Sequence, residues 1–181
     1  MQRQTTRELL AAALMELAQT RPINKITVTS IAENCGLTPP TFYHHFKDKY
    51  DLIAWIYAAN AQKYIDKIGH NNYAWRDTIL DGLNYFAENR QFAVNALTHT
   101  SGQNAFLNQL VTANTRFIAG QITKALMSER IPEDLMTMVS IYCYGTGQYL
   151  MQWLVDGASV SPEKVAEIME LCLPEPLKLY L

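Results

Sequence analysis

Apolar residues recur three and four positions apart along most of the chain, which is the spacing of one face of an α-helix. The first such run predicts a helix over roughly residues 5–19, opened by a capping box of Thr5 and Glu8 and ended by Pro22. β-Branched residues do cluster at 23–28, but this run is too short and too isolated to seed a sheet. The pattern therefore predicts an all-α protein.

Two short helices separated by a glycine are predicted next. Thr29 is expected to cap the first of them, and Gly36 to end it in the left-handed conformation that glycine adopts readily. Thr38 is expected to cap the second, whose first turn holds Pro39 and Pro40 at positions where the amide has no acceptor within the helix. A helix, a glycine turn and a second helix within about 25 residues are typical of a helix-turn-helix.

Asp48 is expected to cap a long fourth helix that runs to about Ile68, and a loop is predicted at 69–72. The remaining helices are predicted over 74–88, 91–100, 104–128, 134–156 and 162–173, with breaks at Asn89, Ser101-Gly102, Ile131-Pro132 and Ser161-Pro162. The predicted architecture is an N-terminal three-helix head over residues 1–48 and a C-terminal helical bundle, the body, over residues 49–181.

The composition is that of a folded protein with a sizeable core, since 49% of the 181 residues are hydrophobic and 18% are charged. The net charge of -2 argues against a wholly basic nucleic-acid coat, but the charge is unevenly distributed. Residues 1–50 carry a formal charge of +2 and the remaining residues carry -4. A mildly basic head on an acidic body permits contact with DNA at one end only.

Residues that usually carry catalysis or bind metals show no recognised spacing. Cys35, Cys143 and Cys172 are odd in number, far apart and set among apolar residues, so free thiols are expected in place of disulfides or metal ligands. The histidines match no catalytic or zinc motif, and the sequence has no glycine-rich phosphate loop or nucleophile elbow. We therefore predict neither an enzyme nor a metal or cofactor site.

The apolar run at 9–15 faintly resembles a signal peptide. Glu8 and Glu16 bracket it, however, and no small-residue cleavage site follows. The run is also much shorter than the roughly 20 apolar residues that span a bilayer. A cytoplasmic protein without a membrane partner is expected.

The third predicted helix has the size of a helix that enters the major groove of DNA. Phe42 and Phe46, four residues apart, would pin it to the core. Tyr43 and His44 are long enough to reach a phosphate, and Lys49 adds a positive charge beside them. The alternative is that Tyr43, like Phe42, belongs to the core.

Four further positions suit DNA by their chemistry. Thr29 and Thr38 open helices, where free N–H groups and the positive end of the helix dipole favour a phosphate. Thr41 and the ring of Pro39 could contact a thymine methyl or a base edge. Because so short a helix reads only a few base pairs, a dimer on two half-sites is expected.

The segment 26–53, ITVTSIAENCGLTPPTFYHHFKDKYDLI, resembles the N-terminal DNA-binding domain of the tetracycline-repressor (TetR) family. The matching features are Ile31-Ala32, then Gly36-Leu37, then Thr41-Phe42-Tyr43 with Phe46 and Lys49 behind it. Pro40 departs from the glycine that the family often has at this place. The resemblance covers roughly residues 5–53.

This resemblance implies a sequence-specific transcription factor, a repressor in preference to an activator, that binds a palindromic operator in double-stranded DNA as a homodimer. It also implies a variable C-terminal domain that binds an effector or a partner. Position by position, the residues that would face DNA are Thr29, Ser30, Thr38, Pro39, Thr41, Tyr43, His44 and Lys49.

The last two long helices are the candidates for dimerisation, since in the family such helices pair with their copies in a four-helix bundle. An apolar stripe runs along the last helix, and two glycines in the preceding one would let another helix approach closely. The predicted interface consists of Tyr142, Gly145, Gly147, Val165, Ile168, Met169 and Cys172. The alternative is that these residues close the core of the single chain.

Aromatic and polar residues within otherwise apolar helices of the body are candidates for a small-molecule effector site. The predicted set is Trp75, Tyr85, Asn95, His99, Asn114, Phe117 and Tyr149. For each of them the alternative is an aromatic residue of the core or a solvated polar side chain.

The middle of the chain also resembles a narrower group, the regulators associated with dihydroxyacetone kinase operons. The matching segments are LIAWIY at 52–57, YAW at 73–75, and YFAEN at 85–89 followed by Phe92. This resemblance implies control by a sensor protein in place of a ligand, which would leave the effector candidates as plain core. A different alternative is a helical adaptor that binds partners and has lost its affinity for DNA.

Overall fold

The computed structural model describes residues 4–65, 67, 68, 73–100 and 105–181. Within these ranges the chain forms α-helices and short 3-10 turns, and no strand. The α-helices are α1 (Thr6–Leu17), α2 (Val28–Asn34), α3 (Pro39–His45), α4 (Lys49–Ile65), α5 (Trp75–Glu88), α6 (Arg90–Thr98), α7 (Phe106–Leu126), α8 (Glu133–Val155) and α9 (Pro162–Leu171), and the 3-10 turns are Ile23–Lys25 and Glu175–Leu177. The predicted all-α class is confirmed.

Predicted and observed helix bounds agree to within a few residues. The largest difference at a described position is at the end of α4, which stops at Ile65 and does not continue to Ile68. Asp48 caps α4 as predicted, because its Oδ1 accepts from the backbone N–H groups of Tyr50 at 2.8 Å and Asp51 at 2.9 Å. The predicted loop at 69–72 and the predicted break at Ser101-Gly102 lie outside the described residues.

Reciprocal hydrogen bonds open the first two helices. In α1, Thr5 N donates to Glu8 Oε2 at 2.7 Å and Glu8 N donates to Thr5 Oγ1 at 3.3 Å, as the sequence predicted. In α2, Ser30 N donates to Thr27 Oγ1 and Thr27 N donates to Ser30 Oγ, both at 3.1 Å. The prediction that Thr29 caps α2 is wrong, because Ser30 stands three positions after Thr27 and returns the second bond.

The turn between α2 and α3 is a Schellman motif at Gly36. Gly36 has φ +70°, Leu37 N donates to Ala32 O at 2.8 Å, and Gly36 N donates to Glu33 O at 3.1 Å. A side chain would strain this left-handed position, so the predicted glycine end of α2 is confirmed. The motif fixes the direction in which α3 leaves α2.

One apolar core runs from the head into the body without a gap. Leu14, Ile31 and Phe42 of the head belong to the same buried cluster as Leu52 of α4 and Phe86 of α5. Helix α4 therefore has a face in each part, packing on α1 in the head and on α5 and α7 in the body. The division at residue 48 does not coincide with a break in packing and stays a prediction.

A second buried cluster joins α7, α8 and the C-terminal turn. Helices α7 and α8 come especially close at Gly147, where an added Cβ would lie 2.9 Å from Val111 Cγ2. Elsewhere in the body α5 packs along α9. This arrangement leaves one side of α8 and α9 without a covering helix from the described part of the chain.

Candidate nucleic-acid interface and body cavity

Helix α3 is anchored on one face and polar on the other. Phe42 is fully buried and Phe46 is 4% exposed, with their ring centroids 5.8 Å apart. On the outer face Tyr43 is 60% exposed, His44 is exposed and Thr41 is half-buried. The structure therefore places Tyr43 outside the core and brings Thr41, Tyr43 and His44 together on one short helix.

The starts of α2 and α3 carry further residues predicted to face DNA. Thr38 is exposed, and its hydroxyl lies 3.0 Å from the hydroxyl of Thr41 and caps no amide. Pro39 is half-buried at the first position of α3, and Thr29 is exposed in the first turn of α2. Ser30 is half-buried, and its Oγ donates to the N-cap carbonyl of α2 at 2.8 Å. Ser30 is thus engaged inside its own helix, whereas Thr29 and Thr38 face solvent.

Lys49 has intramolecular partners that the sequence did not predict. Its Nζ donates to the carbonyl oxygens of Ile23 at 2.8 Å, Asn24 at 3.2 Å and Ile26 at 2.7 Å. An ammonium has three N–H donors, so this arrangement uses all of them. Burial also lowers the pKa of Lys49. In place of the free charge that the sequence predicted, Lys49 fastens the segment before α2 to the start of α4.

Asn95 of α6 joins the body to the same segment of the head. Its Oδ1 accepts from Ile23 N at 2.9 Å, and its Nδ2 donates to Ala18 O at 2.8 Å and to Arg21 O at 2.7 Å. These partners lie 72 or more positions away in the sequence. Sequence reasoning placed Asn95 in an effector site and missed this role, because no local pattern announces a contact across such a separation.

Helix α6 is also tied to the end of α8. Arg90 Nε donates to Leu154 O at 2.7 Å, and Arg90 Nη2 donates to Val155 O at 3.2 Å. On the head side, Gln91 Nε2 donates to Gln19 O. Helix α6, nine residues long, therefore connects the C-terminal end of α8 to the segment between α1 and α2.

The body holds a cavity of about 110 Å³ between α4, α5, α7 and α8. Aromatic rings form much of its wall, and those of Trp75 and Phe117 stack with centroids 5.7 Å apart and planes 15° apart. Of the predicted effector residues, Trp75, Tyr85, Asn114 and Phe117 line this cavity. No aspartate, glutamate, lysine, arginine or histidine stands among the described residues of its wall.

Most polar groups of the wall have partners within the protein. Tyr57 Oη donates to Asn114 Oδ1 at 2.7 Å, Trp75 Nε1 donates to Tyr142 Oη at 3.4 Å, and Tyr142 Oη donates to a backbone carbonyl of α9 at 3.1 Å. The hydroxyl of Tyr85 is buried and has no hydrogen-bond partner among the described residues. Burial raises the pKa of Tyr85 and of Tyr142 to about 12, so both hydroxyls remain protonated donors at neutral pH.

Three predicted effector residues lie away from the cavity. Asn95 is part of the junction with the head. His99 is exposed, and its Nδ1 lies 3.0 Å from Thr98 Oγ1. Tyr149 is 45% exposed. Sequence reasoning also missed the α4 side of the cavity, formed by residues that include Tyr57, Asn60 and Tyr64. Their spacing of three and then four residues was the available signal, since it puts all three on one helix face.

The predicted interface residues divide by burial. Four of them are buried inside the single chain, which is the alternative that the sequence left open, and these are Tyr142, Gly147, Val165 and Met169. Exposed are Gly145, Ile168 and Cys172. The apolar stripe of α9 closes the chain's own core against α5, and Gly147 accommodates α7 of the same chain. The same two helices, α8 and α9, expose three further apolar side chains, Ile141, Tyr144 and Leu171, which are 68%, 62% and 72% exposed.

The remaining chemistry of the described residues is sparse. Cys35, Cys143 and Cys172 are free thiols. Within the described ranges, no three histidine, cysteine or acidic side chains come close enough together to hold a metal ion. None of the helices in those ranges combines the length and the apolar character needed to cross a membrane.

Two protein-family models match this chain. The model described as "Bacterial regulatory proteins, tetR family" matches residues 9–56, which contain α2, α3 and most of α1. The model described as "Transcriptional regulator C-terminal region" matches residues 73–174, from α5 through α9. Residues 57–72 lie between the two matches and comprise the rest of α4 and the segment after it.

Individual relatives agree with these models. The HTH-type dhaKLM operon transcriptional activator DhaS of Lactococcus lactis is 28% identical over 87 residues, which are 48% of this chain and 46% of that protein. The match thus spans less than half of that relative's length. The solved structure of a dihydroxyacetone kinase operon activator DhaS has a TM-score of 0.67 at 18% identity over 97% of each chain.

A second solved structure, the repressor FadR of Thermus thermophilus in complex with lauroyl-CoA, has a TM-score of 0.61 at 14% identity over 92% of each chain. At these identities the solved structures establish a shared fold. The resemblance to TetR-like proteins and to regulators of dihydroxyacetone kinase operons is confirmed.

Proposed function

The chain belongs to the TetR family of bacterial regulatory proteins, and from that premise we propose that it binds a palindromic operator in double-stranded DNA as a homodimer. The family makes it a transcriptional regulator. The observation that carries the proposal is α3, which Phe42 and Phe46 anchor while Thr41, Tyr43 and His44 stay accessible. In this proposal the protein acts in the cytoplasm and catalyses no reaction.

The accessible residues of the head divide by chemistry into two roles. Tyr43, His44 and the first-turn amides that follow Thr29 and Thr38 bind phosphates, which sets the register of the head on the duplex. Thr41 and the ring of Pro39 contact base edges and thereby set sequence preference.

Two predicted DNA residues receive a different role in this proposal. Ser30 acts through hydrogen bonds that hold the start of α2, and Lys49 acts from the start of α4 by holding the carbonyls before α2.

The exposed apolar side of α8 and α9 is the proposed dimer interface. It comprises Ile141, Tyr144, Gly145, Ile168, Leu171 and Cys172. An isologous contact through this face places two heads in two-fold symmetry, which is the symmetry of a palindromic operator. A scattered exposed apolar residue needs no explanation, but several large apolar side chains exposed on the same two helices favour an interface.

Control is proposed to pass from the cavity to the head through α4. One wall of the cavity belongs to α4, whose first residue Lys49 holds the carbonyls before α2. A ligand that binds best at one distance between α4 and the helices α5 and α7 favours the head positions that go with this distance. The position of each head sets the separation of the two heads in the dimer, and this separation determines how well the dimer fits operator DNA. A sensor protein in place of a ligand is the second candidate, because the chain resembles regulators of dihydroxyacetone kinase operons.

Repression is proposed as the mode of regulation because the TetR family resemblance implies it and the structurally similar FadR is described as a repressor, with activation as the second candidate. The likeness to DhaS, whose name describes an activator, favours activation. A reporter gene behind the selected operator distinguishes the two, because deleting the regulator raises expression under repression and lowers it under activation.

The test of the whole proposal is selection of purified protein from a random duplex DNA library at physiological salt. The proposal expects an enriched palindrome. A variant with Tyr43 and His44 replaced by alanine should enrich nothing, while Met127→Ala, at a 95% exposed site outside the head, should enrich the same palindrome. A folded, dimeric sample that enriches no sequence would contradict the proposal and favour the adaptor without DNA affinity.

A further inference from the structure

The wall of the cavity carries no formal charge among its described residues. An ionised ligand entering it would give up its hydration shell and find no opposite charge in return, which is a large penalty in an apolar environment. The polar atoms of the wall are hydroxyl, amide and indole groups. The described part of the wall therefore favours a neutral ligand.

Aromatic side chains form much of the wall of the cavity. Trp75 and Phe117 stack at 5.7 Å and 15°, and Tyr57 and Phe86 stack at 5.8 Å and 23°. All four of these side chains line the cavity. Aromatic faces bind another ring by offset stacking or by contact with its edge, and both arrangements favour a planar ring over a flexible chain.

The cavity is small. Its volume of about 110 Å³ lies somewhat below the about 150 Å³ of an apolar protein cavity that is known to hold benzene. A single ring is therefore the largest rigid group that we expect the cavity to hold as it stands.

Tyr85 supplies a directed polar contact. Its hydroxyl and that of Thr78 are buried at the wall and have no partner among the described residues, whereas Tyr57 and Tyr142 donate to groups of the protein. Buried polar groups in folded proteins are nearly always hydrogen-bonded, and a hydroxyl that stays protonated donates to an acceptor. An oxygen atom on a bound ring would satisfy it.

Building on the proposed function, we propose that the effector is a small uncharged ring compound of the phenol class, whose ring lies against the aromatic walls and whose oxygen accepts a hydrogen bond from Tyr85. Phenol itself is the probe for this class. Toluene has the same size without the oxygen. Benzamide and benzoate form a second pair, of closely similar shape, that differs in charge.

The test measures binding of these four compounds to the purified dimer by calorimetry, together with the affinity for the selected operator. The affinities of phenol and toluene are compared after correction for the transfer of each compound from water to an apolar solvent, because a hydroxyl loses more on leaving water than a methyl group does. On this scale phenol should bind about 5- to 10-fold more tightly than toluene, the usual worth of one hydrogen bond. Benzamide should bind at least about 100-fold more tightly than benzoate, because only benzoate brings an ionised group into the cavity. Phenol should also change the affinity for the operator.

Tyr85→Phe gives the specific control. This variant should bind phenol only as tightly as toluene, with its affinity for toluene unchanged, and phenol should no longer change its operator affinity more than toluene does. Tyr149→Phe makes the same substitution at a 45% exposed position outside the cavity and should bind all four compounds like the unmodified protein. The wild-type comparison of phenol with toluene stands by itself if Tyr85→Phe fails to fold.

Equal binding of phenol and toluene to the wild-type protein would overturn the proposal, as would binding of benzoate that matches benzamide. Absence of binding by any neutral ring overturns it as well and favours the sensor protein. The operator measurement separates these failures from failure of the proposed function, because a dimer that enriches a palindrome remains a DNA-binding regulator whatever its ligand is.

Discussion

The side-chain amide of Asn95 is hydrogen-bonded to the backbone of Ile23, with Oδ1 accepting from the N–H group at 2.9 Å. Through this bond a helix of the body holds the turn that precedes α2 of the head. Lys49 holds the carbonyl of the same residue at 2.8 Å, so both backbone polar groups of Ile23 are bound by side chains from beyond the head's first three helices. The position of the head relative to the body depends on these contacts.

Asn95→Ala should destabilise the protein by about 2–3 kcal/mol, since it removes three hydrogen bonds and leaves half-buried backbone groups without partners. Urea unfolding at fixed protein concentration measures this change. Asn24→Ala is the control, because the side chain of Asn24 is exposed and contributes none of these bonds. Amide hydrogen exchange should accelerate at residues 18–26 in Asn95→Ala, and unchanged exchange there would contradict the role of this contact.

Lys49→Met should lower stability by about 1–3 kcal/mol, because three carbonyl groups lose their donor. The slope of operator affinity against salt concentration should stay the same, since a lost phosphate contact would reduce that slope by about 1. Lys47→Met, at an exposed lysine two positions earlier, should leave stability unchanged. If Lys49→Met instead reduced the slope of operator affinity against salt concentration and left stability unchanged, Lys49 would be a phosphate contact, as the sequence predicted.

Tyr43→Phe and Thr41→Val should affect DNA binding in different ways. Loss of the Tyr43 hydroxyl removes a phosphate contact, so affinity should fall about 5-fold on matched and mismatched duplexes alike. Loss of the Thr41 hydroxyl removes a base-edge contact and should change the ratio between those duplexes by about 1–3 kcal/mol. Titration of both variants on both duplexes checks this, and an equal loss on all duplexes for Thr41→Val would refute the division of roles.

Gly147→Ala should destabilise the chain relative to Gly120→Ala by about 1–3 kcal/mol. A Cβ at position 147 would lie 2.9 Å from Val111 Cγ2, and overpacking of this kind is costly because a β-branched side chain cannot move aside easily. Outside its own helix, no described atom lies within 4 Å of a Cβ at position 120 of α7, so that variant gains only the helix preference of alanine, about 1 kcal/mol. Thermal unfolding of both variants at one concentration measures the difference.

Ile141→Glu should convert the dimer to monomers at micromolar concentration. Ile141 is 68% exposed on the proposed interface. Because the interface is two-fold symmetric, the substitution would bury two unpaired carboxylates in it, one from each copy, which is energetically costly. Sedimentation gives the oligomeric state, and circular dichroism should show an unchanged helix content. Leu179→Glu introduces the same charge at an 82% exposed residue beyond the interface and should remain dimeric. A dimer that survives Ile141→Glu would place the interface elsewhere.

Local features of the fold were predictable because they depend on residues a few positions apart. The capping box of Thr5 and Glu8 and the left-handed Gly36 each follow from side-chain chemistry within one turn of helix. The error at Thr29 arose at this same level. Thr27 and Thr29 are both suitable N-cap residues, and the bond returned by Ser30 selects the first.

Non-local features were predictable only as lists of candidates. Periodicity identified the apolar stripes of α8 and α9, but not which neighbour covers them, so Tyr142 and Met169 were assigned to a dimer although they are buried in the single chain. The effector candidates divided in the same way. Asn95 and Asn114 are both amides in apolar helices, yet one binds the head and the other lies at the cavity.

The sequence by itself determined the helices, the turn at Gly36 and the anchoring of α3, because these depend on contacts within a few residues and on the burial of two phenylalanines four positions apart. Only the tertiary structure decided which face of α8 stays exposed, which side chains line the cavity, and that Asn95 and Lys49 hold Ile23. Those contacts join residues 26 or more positions apart, and their formation depends on how whole helices pack against one another.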